Sequence, residues 1–184
     1  MSRIPPVTRD SVPENQREAF DELNAAPGGI GTGPMSILKN SPEMARRATP
    51  FWEYVRNEST VPHDMRELAM LVTARAKDCV YIWDRHVPIA RQTGLRNELI
   101  DALRDRQPLP ELSPSEAAVI SLANEFFTGS RVSQETFQAA HDQFGTQALV
   151  ELVTLMGYYA MLAFNANTVD LQLTHESDEP ALPV

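Results

Sequence analysis

Apolar residues recur along this chain at spacings of three and four between polar positions, and no stretch carries the alternation of β-branched and polar residues that a half-buried strand needs. The pattern predicts an all-α protein of about eight or nine helices, counted from cap and breaker signals. Ser11-Val12-Pro13-Glu14 opens the first, which presents Phe20 and Leu23 and stops near Pro27. Ser41-Pro42-Glu43 opens another with a capping residue, a proline in the first turn and an acid at the positive end of the helix dipole. Pro50 should kink or divide that helix. A helix from Pro62 to about Lys77 is apolar on every side between Leu68 and Val72, which marks it as central. The next runs from Cys79 to Thr93, with Pro88 as a possible bend, and ends at Gly94 as a left-handed cap. A short helix over Arg96 to Arg104 follows, then a capping box, Ser113-Pro114-Ser115-Glu116, leading through Phe127. Ser133 caps a helix to Phe144, and beyond Gly145 the run Leu149 to Phe164 is apolar nearly all round, so it needs cover from its own core or from a neighbouring subunit.

With 184 residues the chain fits one domain, 1–184, with loose ends expected at 1–10 and 174–184. Acidic residues outnumber basic ones 25 to 16, and the basic ones do not cluster, so the net charge of −9 argues against nucleic acid and against an anionic membrane surface. Met1-Ser2-Arg3-Ile4-Pro5-Pro6 lacks the apolar core of a signal peptide. The Leu149 to Phe164 run carries Glu151 and falls short of a span of about 20 residues, so the expected location is cytoplasmic and no membrane partner is implied. Pro27-Gly28-Gly29-Ile30-Gly31-Thr32-Gly33-Pro34 lacks both the preceding strand of a dinucleotide fingerprint and the Gly-Lys-Ser/Thr of a P-loop. It reads as a flexible connection, or a flap over a pocket.

Candidate chemistry concentrates between Arg66 and His86. Cys79 and His86 are seven apart, nearly two helical turns, with Ile82 between them on one face. A cysteine at a helix start meets free N–H groups that favour a thiolate, and a neighbouring imidazolium would favour it further. A histidine ordinarily titrates near neutral pH and can pass a proton to or from a substrate, so Glu67, Cys79 and His86 form a candidate acid-base trio, with Glu67 orienting His86 across a helix pair. Set against this, a lone cysteine is among the residues most often buried, and a buried histidine is commonly satisfied by one hydrogen bond. Ile82 and Trp83 are the candidate pocket-wall residues, Trp83 being otherwise a packing residue. His63, His141 and His175 combine with carboxylates at no familiar metal-ligand spacing, so no metal site is expected. A single cysteine excludes an intrachain disulfide and a two-cysteine redox cycle within one chain.

The spacing of Glu67, Cys79 twelve residues on and His86 seven further resembles the glutamate, Cys-x-x-Cys, histidine signature of the alkyl hydroperoxidase D-like superfamily. The continuation His86-Val87-Pro88-Ile89-Ala90-Arg91, then Gly94-Leu95, resembles its carboxymuconolactone decarboxylase-like branch. Ile82 stands where hydroperoxidase-type relatives hold the second cysteine and where decarboxylase-type relatives often hold glutamate. The resemblance implies an oligomeric helical domain, a homotrimer or homohexamer, that acts on a small molecule without a cofactor. It implies a lyase or isomerase on a carboxylated or carbonyl-bearing substrate, with Glu67, Cys79 and His86 as its proton relay. The alternatives are a peroxidase or thiol-dependent reductase that uses Cys79 with an external thiol, and a ligand-binding oligomer that has lost the chemistry.

Overall fold

The computed structural model describes residues 2–174 and 177–184, so His175 lies outside the described residues. Among these the regular elements are all helical: α1 (Arg17–Ala25), α2 (Pro34–Leu38), α3 (Pro42–Glu53), α4 (His63–Ala76), α5 (Val80–Gln92), α6 (Asn97–Asp105), α7 (Pro114–Gly129) and α8 (Gln134–Val169). Helix α4 is the hub, packing on α5, α7 and α8, while α7 also packs on α8. Ten of its residues, from Met65 to Arg75, are buried, as its all-round apolar sequence requires.

Most boundaries follow the cap chemistry. The Ser113 hydroxyl accepts the N–H of Glu116, whose carboxylate accepts the N–H of Ser113 at 2.7 Å, closing the capping box that starts α7. Gly94, at φ 92°, ends α5 in the left-handed region. Gly145, at φ 70° and ψ 175°, breaks the helical path inside α8, so α8 consists of the expected pair of helices meeting at a kink. Two expectations change. Residues Arg9–Ser11 and Glu14–Gln16 form single 3₁₀ turns ahead of α1, because the Ser11 hydroxyl bonds both the N–H and the carbonyl of Thr8 and closes a local turn instead of capping a long helix. Pro50 does not divide α3. The helix runs through it and loosens at a π-helical turn, Tyr54–Glu58, four residues later.

The ends of the chain make specific contacts. The Arg3 N–H donates to the Val169 carbonyl at 2.7 Å, Leu182 is buried, Arg75 donates to the Pro183 carbonyl at 2.8 Å, and Arg91 pairs with Glu179 at 3.0 Å. By length and composition α8 is apolar enough to cross a membrane, but 56% of its most apolar window is buried within the domain, as in a core helix. Its outer face leaves Val150, Val153, Met161 and Phe164 exposed in a stripe of helical period.

One buried carboxylate joins the π-helical turn to α8. Glu151 accepts from the Tyr54 hydroxyl at 2.7 Å, the Thr60 N–H at 2.6 Å, the Thr60 hydroxyl at 2.7 Å and Gln147 at 3.0 Å. Burial alone would raise its pKa, but the donors from Gln147, Tyr54 and Thr60 outweigh burial and hold it at about 2. Because the folded value lies below the ordinary carboxylate value, this group stabilises the fold above the unfolded pKa and ceases to as pH falls toward about 2. Glu151→Gln turns an amide N–H toward donors and should cost about 1–3 kcal/mol at neutral pH. Denaturant melts should show that deficit shrinking as the wild type is acidified below pH 4.5.

Candidate active site

The turn that joins α4 to α5 fixes the geometry. Asp78 takes a left-handed conformation, φ 47°, held by Arg75 at 3.0 Å and Arg106 at 2.9 Å, and the Cys79 N–H donates back to the Ala74 carbonyl at 2.9 Å. The chain therefore reverses within three residues, and α5 lies back along α4. Glu67 of α4 meets His86 of α5 across this pair, with His86 Nδ1 2.8 Å from Glu67 Oε2 and both side chains buried. A carboxylate accepts, so Nδ1 carries the hydrogen and Nε2 is the ring nitrogen left for other work.

His86 lines a cavity of about 360 Å³. Its walls come from Ile82, Arg85, His86 and Ile89 of α5, Trp52 and Glu53 of α3, Arg56 of the π-helical turn, and Tyr159 and Leu162 of α8. Positions 82, 85, 86 and 89 share one face of α5 at helical spacing. The loop over 28–33 contributes Gly28, Gly29, Ile30, Gly31 and Gly33 to the lining, in accord with the flap reading. Lys39 fastens that loop by donating to the carbonyls of Gly29 and Ile30, the latter at 2.9 Å, and burial lowers its pKa.

Tyr159 stacks edge-on against His86, with ring centroids 5.2 Å apart. Burial raises its pKa most, helped by the Glu67 charge and opposed by Arg56 and a hydrogen bond from Trp52, so the phenol stays neutral. Arg56 stacks over Trp52 at 5.2 Å. Arg56 and Arg85 both line the cavity, and among the described residues neither pairs with a carboxylate. In an acid-rich chain that pairs Arg9, Arg46, Arg91, Arg96 and Arg104 with acids, two uncommitted guanidinium groups give the cavity a positive wall.

Of the expected site residues, Glu67 and His86 meet, Ile82 lines the cavity, and Cys79 and Trp83 do not. Trp83, 1% exposed, is one residue and about 100° round the helix from Ile82. That rotation carries it off the cavity face into the core. Cys79 precedes the first turn of α5 with extended backbone angles, φ −95° and ψ 91°, so it does not hold the helical phase of His86. Its thiol is fully buried, and burial raises its pKa more than the N–H groups of Ile82 and Tyr81 lower it. The expected thiolate at the helix start is replaced by a neutral thiol. Arg56, Arg85, Trp52 and Tyr159 were not singled out in the sequence. Arg85 alone had a local signal, three residues after Ile82 on the same face.

The fold is that of alkylhydroperoxidase D-like proteins. Two solved structures superpose over 93% of this chain and 91% of their own. The alkylhydroperoxidase AhpD core of Ralstonia eutropha JMP134, an uncharacterized peroxidase-related protein, has a TM-score of 0.67 at 16% identity. An uncharacterized peroxidase-related protein from Silicibacter sp. TM1040 has a TM-score of 0.69 at 15% identity. Within that fold, residues 42–125, which hold Glu67, Cys79 and His86, match the model of the carboxymuconolactone decarboxylase family. No curated protein matches the chain.

Proposed function

We propose that the protein is a cofactor-independent lyase or isomerase that moves a proton to or from carbon in a small carboxylated or carbonyl-bearing substrate. The observation that carries this reading is the buried Glu67–His86 pair at 2.8 Å, with His86 on the cavity wall. Glu67 orients the imidazole and stabilises its cation, and Nε2 exchanges the proton with the substrate. Arg56 and Arg85 supply the charge that a substrate carboxylate requires, while Trp52, Ile82 and Leu162 supply the apolar contact for its carbon frame. The alternative, a peroxidase that uses Cys79 with an external thiol, asks for a thiolate at the cavity, whereas Cys79 is a buried thiol outside the cavity lining. An unpaired thiol of this kind accords with a cytoplasmic place of work.

The test is a panel of small unsaturated lactones and enol carboxylates, incubated in D2O with no cofactor added. Deuterium at a product carbon supports the reading. Consumption of peroxide at the expense of an added thiol, with no turnover on the panel, contradicts it. The exposed stripe of Val150, Val153, Met161 and Phe164 is, on the same reading, where copies of the chain associate. A sedimentation mass of one chain at micromolar concentration would contradict that.

A further inference from the structure

The middle of the glycine flap is fastened by one side chain. Lys39, just after α2, reaches back so that its ammonium donates to the carbonyls of Gly29 and Ile30, the latter at 2.9 Å, while Ser36 holds the flap's end by donating to the Gly33 carbonyl at 2.7 Å. The packing around the middle is loose. A side chain at Gly28 would meet no atom within 4 Å, and one at Gly31 would meet only the Gly28 carbonyl, at 3.8 Å. Ile30, Gly31 and Ser36 line the His86 cavity and also a second cavity of about 580 Å³, so the flap has a cavity on either side. Lys39 itself lines the His86 cavity, and among the described residues it bonds carbonyls and makes no ion pair. We propose that Lys39 is a substrate-binding residue that couples ligand binding to closure of the flap: two of its N–H groups hold the flap carbonyls, and the third binds an oxygen of a carboxylated ligand in the His86 cavity.

An ammonium has three donors, and the flap uses two of them. The cavity lining sets Lys39, Arg56 and Arg85 against one acid, Glu53, so the donor left over faces a site that favours an anion. Lys39 is half-buried without a carboxylate beside it, a costly place for a charge, and burial lowers its pKa. A ligand carboxylate would supply the missing counter-charge. It would meet the ammonium where the flap carbonyls place it, so the ligand favours the closed flap, and the closed flap favours the ligand by the same factor. Arg56 and Arg85 make no such link, because neither bonds the flap.

Lys39 takes this role on the reading of the cavity as a site for carboxylated or carbonyl-bearing molecules, but the test measures no turnover. Four of the eight glycines of the chain lie in the flap, so ¹⁵N-glycine labelling reports on it directly. The probe is benzoate, a small carboxylate, with its binding followed by calorimetry. In the wild type, saturating benzoate should raise the backbone order parameters of Gly28, Gly29 and Gly31 to about 0.85, the value of rigid backbone. In Lys39→Met they should stay below about 0.6 with or without benzoate. Benzoate should also bind that variant about tenfold or more weakly, the worth of one hydrogen bond to a charged group. Lys39→Gln can still bond one flap carbonyl, which protects the fold should the methionine variant lose it, and it should lose the ordering response as well. Benzoate that leaves the wild-type flap glycines unchanged, whether by not binding or by binding without ordering them, overturns the proposal. Equal ordering in the wild type and Lys39→Gln overturns it too. The coupling can fail while deuterium incorporation on the lactone and enol-carboxylate panel stands, and it can hold in a protein that turns over nothing on that panel.

Discussion

Replacing His86 by glutamine is expected to lower turnover on any accepted substrate by roughly 10²–10⁴-fold, the range of a positioned general acid or base. Glutamine can still donate one hydrogen bond to Glu67, so the buried carboxylate is not orphaned, but it has no group that gains or loses a proton near neutral pH. The loss should fall on kcat more than on KM, since Arg56, Arg85 and the apolar wall remain to bind the ligand. The variant should fold, with a stability deficit of about 1–3 kcal/mol from the weaker partner left to Glu67. Steady-state kinetics beside a thermal melt separates the two effects. Unchanged kcat with a normal melt would remove His86 from the chemistry.

Glu67→Gln is the second large effect, roughly 10–10³-fold in kcat, and it acts through His86. An amide can turn its N–H₂ toward Nδ1, which then accepts, and the ring hydrogen moves to Nε2, the nitrogen meant to take a proton from the substrate. The variant also loses the negative charge that stabilises the imidazolium. A base-catalysed step should suffer most, because it needs Nε2 free. The pH-rate profile of Glu67→Gln should therefore change shape as well as height, whereas a residue with only a structural role would lower the profile without reshaping it.

Local chemistry carried much of this structure in readable form. The capping box at Ser113 and Glu116, the left-handed glycines at 94 and 145 and the all-round apolar centre of α4 each bias the backbone within a few residues, so their effects could be read from sequence. The Glu67 and His86 pairing was legible as a candidate from their places on successive helices and from the family spacing, but the turn at Asp78 that brings the two helices together is held in part by Arg106, twenty-eight residues away. Cys79 shows where a local rule meets a tertiary one. N–H groups at the start of α5 do lower its pKa, but burial among residues from elsewhere in the chain raises it further. The positive wall was hidden for the opposite reason. Arg56 and Arg85 look ordinary in sequence, and their interest comes from acids that do not reach them, which only the folded arrangement of the remaining charges reveals.

Ile82, between Cys79 and His86 in sequence, occupies the cavity wall, 2% exposed, where it can exclude water and can neither attack nor titrate. With the Cys79 thiol buried and outside the cavity lining, the proposed function gives the chemistry at the cavity to the imidazole. Under the proposed function the Glu67–His86 pair, and not Cys79, carries the reaction. The most direct measurement compares Cys79→Ala with His86→Gln on the same lactone and enol-carboxylate panel, scoring deuterium incorporation from D2O and thiol-dependent peroxide consumption in parallel. Incorporation is predicted to survive in Cys79→Ala and to be lost in His86→Gln, with no peroxide consumption above background in either. Peroxide consumption by the wild type that vanishes in Cys79→Ala, without incorporation on the panel, would contradict the account.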